Sequence, residues 1–180
     1  SEKDVADAPE WDEKQIDYGP LIEYKSGLLK KAYANFQHTP IILLLEEFRS
    51  FCKENASWLN DYALFMALKD AHDGKAWTEW ETKYKFPTDA VKAAALTEFS
   101  DCINYYCFIQ FIFFKQWEEL KHYAHINGIK IIGDIPIFVS ADSSDVWANK
   151  ELFQLDEDGY PTVVAGVPPD YFTATGQLWG

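Results

Sequence analysis

Apolar residues recur at three- and four-residue intervals through the first two-thirds of the chain, then give way to short β-branched and aromatic runs cut by Gly and Pro. That change predicts helices up to about residue 127 and a different architecture beyond it. Leu21, Tyr24, Leu28, Tyr33 and Phe36 mark one face of a helix that opens at Pro20 and runs to Gln37. Thr39-Pro40 is a start signal, Thr as N-cap and Pro in the first turn, for a helix through Leu44, Phe48 and Phe51 to about Glu54. Ser57 caps a third, with Leu59, Tyr62, Ala63, Met66 and Ala67 at helical spacing and Gly74 as its stop. Residues 1–18 carry mixed charge without periodic apolarity and read as a tail or linker.

Trp77 and Trp80 stand three apart in a short amphipathic segment, an arrangement that ordinarily serves core packing, with sugar stacking as the alternative. From Thr88 a single helix of about 38 residues is predicted, ended by Gly128. Ile103, Tyr106, Ile109, Phe113, Trp117, Leu120 and Ala124 line one face of it, and Phe108, Phe111, Ile112 and Phe114 widen that face so far that neighbours must pack on several sides. His122 and His125 near its end favour the helix C-terminus rather than a metal, because no third ligand of fitting spacing accompanies them.

The run from Ile129 to Val139 is aliphatic, and it places Asp134 and Pro136 in its middle. Such a run predicts a buried strand leading to a site, since an unpaired carboxylate is costly to bury. Asp142 or Ser143 caps a short turn holding Val146 and Trp147, and the ordinary place for Trp147 is the core. Phe153–Leu155 and Tyr160–Val163, joined through Asp156-Glu157-Asp158-Gly159, predict a small hairpin. The acids of that turn lack the further ligands of a calcium loop and read as a plain turn.

Composition narrows the partners. The 180 residues are 48% hydrophobic and 17% aromatic, enough for a sizeable core. A formal charge of −13, with Arg49 the one arginine, argues against nucleic acid or an anionic membrane and leaves a neutral ligand open. Cys52, Cys102 and Cys107 are an odd number with no Cys-x-x-Cys pair, so neither a disulfide framework nor a zinc site is suggested. Reduced thiols, no signal peptide and no apolar run of membrane-spanning length predict a cytoplasmic protein. The residues supply no phosphate-cradling Gly loop, nucleophile elbow or metal cluster, and only one convincing strand.

Four motifs then carry a resemblance. Gly133-Asp-Ile-Pro-Ile-Phe-Val139, Asp142-Ser-Ser-Asp-Val-Trp-Ala148, Gly166-Val-Pro-Pro-Asp-Tyr-Phe172 and Thr175-Gly-Gln-Leu-Trp-Gly180 stand in the order found in the 4-α-glucanotransferases, and Trp58-Leu-Asn-Asp-Tyr-Ala-Leu-Phe-Met-Ala-Leu-Lys69 is similar to that family too. The resemblance covers residues 41–180. It implies an α/β fold, an incomplete piece of a (β/α)8 TIM barrel: a helical inserted subdomain at 19–127 and a barrel strand with a truncated substrate loop at 128–180. It also implies transfer of α-1,4-glucan segments by retaining double displacement, without metal or organic cofactor, on carboxylates that lie outside this chain. By the same resemblance Asp134 supports the reaction centre, while Asp170, Tyr171, Phe172, Gln177 and Trp179 belong to a loop that binds α-glucan, on which aromatic faces pack against glucose rings. A non-catalytic α-glucan-binding or helical interaction module is the rival expectation.

Overall fold

In the computed structural model, residues 4, 6, 8, 9, 11, 12, 14–39, 41–136 and 138–179 are described. Helices α1 (Tyr18–His38), α2 (Ile42–Glu54), α3 (Ala56–Ala71), α4 (Thr82–Lys85), α5 (Asp89–Glu98), α6 (Ser100–Ile126) and α7 (Ser144–Ala148) make up most of it. Short 3-10 turns follow α3 at Trp77–Glu79 and α7 at Lys150–Leu152, and strands β1 (Gly166–Val167) and β2 (Gln177–Leu178) close the chain.

The helix at the centre is α3. Its buried side chains, Leu59, Ala63, Leu64, Phe65, Ala67 and Leu68, fall at almost every angle around its axis, so it has neighbours on opposite sides. On one side Leu59 and Ala63 pack with Tyr106 and Cys107 of α6, with Phe48, Phe51 and Cys52 of α2 against them. On the other, Leu64, Phe65 and Leu68 pack with Trp77, Trp80, Tyr84, Val146 and Trp147. A third cluster joins Tyr33 of α1 to Phe108 and Phe111. Helix α6 thus touches α1, α2, α3 and α5, as its wide apolar face requires. Of the described residues ahead of α1, Asp4 and Trp11 contact it, through an Asp4–Lys31 ion pair and a Trp11–Tyr24 ring contact at 5.9 Å; residues 1–3, 5, 7, 10 and 13 of the expected tail lie outside the described residues.

Several boundaries differ from expectation, each for a physical reason. Thr39 closes α1 by donating its amide to Asn35 O at 2.9 Å, so α2 opens instead at Ile41; Pro40 lies outside the described residues. The joint before α3 is Asn55 rather than Ser57: the Asn55 amide donates to Phe51 O at 2.9 Å while its oxygen accepts the Trp58 indole N–H at 3.1 Å. Thr88 does cap as expected, accepting Val91 N–H at 3.3 Å, but the long helix breaks at Phe99 (φ −100°, ψ 18°) into α5 and α6. The Phe99 ring packs toward the Trp and Tyr cluster, 6.4 Å from Tyr84, and the backbone bends to let it.

The larger correction concerns 129–139. The described residues there form no strand, and Ile137 lies outside the described residues. The described pairing is antiparallel and lies elsewhere, Gly166 opposite Leu178 and Val167 opposite Gln177, with an isolated bridge from Leu155 to Pro161. A barrel strand gains its hydrogen bonds only from neighbours on both edges. No such neighbour is present among the described residues, so the α/β barrel piece expected from the sequence is not seen, and the architecture is mostly helical.

Candidate functional site

The segment after α6 returns to the helical body at Asp142. Its carboxylate bridges Lys69 Nζ of α3 at 2.6 Å and the Trp77 amide at 3.3 Å, while the Trp77 indole N–H donates to Ala141 O at 2.8 Å. Ser143, the alternative cap expected from sequence, accepts Val146 N–H at 3.3 Å and starts α7. Trp147 then enters the core at 1% exposure and donates its indole N–H to Tyr84 O at 2.8 Å. Trp77, Trp80 and Trp147 are therefore all core side chains, in agreement with the ordinary expectation for each.

Beyond this anchor the chain forms the turn expected at 156–160. Asp156 Oδ1 accepts the amides of Asp158 at 3.0 Å and Tyr160 at 2.8 Å, and Tyr160 O accepts the Asp156 amide at 2.8 Å. Gly159, at φ +89°, lies so close to Trp77 that a Cβ would stand 2.4 Å from the indole. The hairpin is thereby seated on the helical core.

Strands β1 and β2 then form a two-residue ribbon that carries the aromatic loop 168–176. Gly176 closes it at φ +74°, where a Cβ would meet Val167 O at 2.5 Å, so any other residue is both strained and clashing. Asp170 Oδ1 accepts the amides of Phe172 and Thr173, each at 2.9 Å, and the Asp170 amide donates to Thr173 O at 3.0 Å. This side-chain-closed turn lifts Tyr171 and Phe172 to the tip, 91% and 78% exposed with ring centroids 4.2 Å apart. At the base, Trp179 donates its amide to Ala165 O at 2.8 Å and its indole N–H to Gln177 Oε1 at 2.9 Å.

The structure thus brings Asp170, Tyr171, Phe172, Gln177 and Trp179 onto one ribbon. Two bare rings at its tip, with a carboxylate and an amide behind them, offer apolar faces and hydrogen-bonding groups to a neutral polyhydroxylated ligand. Asp134 is not gathered with them. It is exposed, and its Oδ1 accepts the adjacent Ile135 amide at 2.8 Å. An apolar cavity of about 560 Å³ between the segment after α6 and the hairpin, lined among others by Phe138, Val146, Phe153, Leu155 and Val163, offers few partners to sugar hydroxyls.

Two features escape sequence reading because their members are far apart in the chain. One is the Lys69–Asp142–Trp77 link. The other is Lys150, whose ammonium lies 5.0, 5.4 and 5.6 Å from the rings of Trp77, Trp147 and Phe86 and donates to Trp147 O. Burial and the Lys92 ammonium lower its pKa to about 8. The repeated tryptophans were the one available signal for the second.

The class these features define is a mostly helical unit that carries a small ribbon with an aromatic tip. The sequence profile of a family described as 4-alpha-glucanotransferase matches residues 2–180, and the chain belongs to that family. It is 45% identical over 174 residues to the 4-alpha-glucanotransferase of Synechocystis, covering 96% of this chain and 34% of that protein. The Thermus thermophilus 4-alpha-glucanotransferase is 45% identical over 172 residues, with coverage of 96% and 34%. The structure of an amylomaltase from Streptococcus agalactiae in complex with acarbose superposes with a TM-score of 0.88 at 40% identity, covering all of this chain and 36% of that one. The chain therefore spans about a third of the length of the relatives it matches. Among the described residues, no helix is long and apolar enough to cross a membrane.

Proposed function

We propose that this chain is the part of a 4-α-glucanotransferase that presents the glucan-covering loop, in a polypeptide that moves α-1,4-glucan segments between maltooligosaccharides. The observation that carries the reading is the exposed Tyr171–Phe172 pair on a ribbon closed by Asp170 and Gly176. Rings held bare at a rigid tip are costly to leave in water and suited to the apolar face of a pyranose. The relative bound to acarbose supports a saccharide as the ligand.

In this reading the retaining reaction proceeds through a covalent glycosyl-enzyme, with a carboxylate nucleophile and a carboxyl acid/base about 5 Å apart. Both are supplied by segments outside this chain. Asp134 acts as a positioning residue: once 129–139 is paired as a strand, alternation sets Ile132, Asp134, Pro136 and Phe138 on the face turned to the barrel lumen. There its carboxylate holds a cationic partner beside the nucleophile.

The test is made in the full-length polypeptide. Tyr171→Ala or Trp179→Ala lowers kcat/KM for long glucans more than for maltotriose, because stacking against successive rings contributes about 1 kcal/mol each. Equal losses on both substrates would reduce these residues to folding the loop. Asp134→Asn lowers kcat without abolishing the glycosyl-enzyme, which a slow-substrate trap reads by mass.

A further inference from the structure

Two motifs that the proposed function leaves unused meet on one surface. Trp58 and Asp61 stand on the first turns of α3, and Ser144, Asp145 and Asn149 on or beside α7, more than eighty residues later. With Ser57 they line a pocket of about 190 Å³. Its two walls are fixed from behind: Phe65 of α3 meets Trp147 of α7 at 5.9 Å, and the Lys69–Asp142 bridge ties the approach to α7 down.

The chemistry of the walls selects a ligand. Trp58 packs against Phe114 at 5.8 Å and Tyr62 at 6.2 Å, yet stays 37% exposed beside the pocket. Asp61 and Asp145 accept hydrogen bonds only, the serine hydroxyls accept or donate, and Asn149, one of whose amide N–H groups donates to Asp145 O at 3.1 Å, keeps its oxygen to accept and a second N–H to donate. An occupant must bring several donors and an apolar face. A metal ion does not suit, since no group of three or more metal-ligating side chains occurs among the described residues. Asp61 is already approached by Lys92 at 3.9 Å, which lowers the site's demand for a cation. At 190 Å³ the pocket is smaller than the roughly 300 Å³ at which drug-sized ligand sites begin, so it suits one ring and not a chain.

We propose that the α3–α7 pocket is a binding site for a single neutral hexopyranose unit, separate from the aromatic loop and built from Trp58, Asp61 and Asp145. The choice of a glucose unit, as the end of an α-glucan, rests on the function proposed above; the pocket's preference for a neutral polyol does not. Such a site would hold a distant part of the same glucan, or a second one, on the helical face of the molecule.

The experiment follows the indole N–H signals of the full-length polypeptide labelled with 15N-tryptophan, the Trp58 signal being assigned by its loss in Trp58→Phe. Methyl α-D-glucopyranoside and maltose are titrated in a Tyr171→Ala/Trp179→Ala background, so that the loop is silent. The Trp58 signal is expected to move saturably in the millimolar range, and Asp145→Asn, on an exposed position that leaves the core intact, to weaken that response at least tenfold. A Trp58 signal unmoved by either sugar, or moved equally in Asp145→Asn, overturns the proposal. So does a response to ethanolamine that the neutral sugars do not give. Glucan transfer measured on the unsubstituted protein separates the two readings: loss of the proposed activity with a sugar-dependent Trp58 shift refutes only the first, and full activity without the shift refutes only the second.

Discussion

Replacing Trp147 tests how the segment bearing the loop is held to the helices. Helix α7 is five residues long, too short to persist without tertiary packing. Its anchor is an indole at 1% exposure against Phe65 at 5.9 Å and Trp80 at 6.2 Å, with its N–H satisfied by Tyr84 O at 2.8 Å. Truncating a buried Trp to Ala costs about 3–5 kcal/mol in lost transfer energy and residual cavity. The orphaned carbonyl adds about 1 kcal/mol, the low end of its range, because the cavity admits water to it. Trp147→Phe keeps most of the ring and loses the hydrogen bond, at about 1.5–3 kcal/mol. Amide exchange over residues 141–153 reads this opening locally. A loss of 4 kcal/mol shortens protection by roughly a thousandfold in Trp147→Ala, against roughly tenfold to a hundredfold in Trp147→Phe. Exchange of 141–153 changed less than tenfold by Trp147→Ala, or equally by both variants, would refute the anchoring argument.

The 180-residue chain by itself is expected to release no glucose from maltotriose, in an assay controlled with an extract lacking the chain; release that copurifies with it would place the reacting carboxylates within these residues. Cys102 lies 3.6 Å from Asp70 Oδ2, and burial with that carboxylate raises its pKa to about 11, so its alkylation by iodoacetamide is slow. Asp70→Asn is expected to speed it severalfold by peptide mass spectrometry, and an unchanged rate would leave burial as the sole cause. Lys150 has its pKa lowered to about 8 by burial and then by Lys92, so between pH 8 and the ordinary lysine value of about 10.4 the unfolded chain binds more protons than the folded one. Stability relative to Lys150→Met should therefore rise with pH across that window, and parallel pH profiles for the two proteins would remove Lys150 as its source.

The helices were legible where their causes are local. The cap at Thr88, the apolar spacing of α3 and the wide face of α6 are all properties of neighbouring residues, and they read correctly. The bend at Phe99 was not legible, because no Gly or Pro marks it. It arises from a ring drawn to Tyr84, a partner fifteen positions away in the sequence. The conformation of the loop also has local causes, although the ribbon itself was not expected: Asp170 closes its turn on Phe172 and Thr173, and Gly176 supplies the backbone conformation the ribbon needs. The partners of Asp142 and Lys150, and the walls of the α3–α7 pocket, are brought together from distant positions, which periodicity along the chain does not report.

The segment 129–139 shows the limit of that reasoning most directly. A β-branched run states that a strand is favourable when both edges are paired and both faces covered, and it does not state what pairs or covers it. Ile132 is 94% exposed and Ile135 83%, although strand alternation would place them on opposite faces, so neither face has found its layer. The helical body contrasts with this, since each of its clusters is completed by residues between 33 and 155. The difference is one of interaction range: helices satisfy their own backbone, and α1 to α7 need neighbours only for their side chains, whereas a barrel strand needs neighbours for its backbone as well. Asp134 inherits that dependence. In the proposed function its direction is set by strand alternation, strand alternation by pairing, and pairing by chain elsewhere in the polypeptide. The loop residues carry their geometry with them; under the proposed function Asp134 acquires its own only on pairing of 129–139 into a sheet.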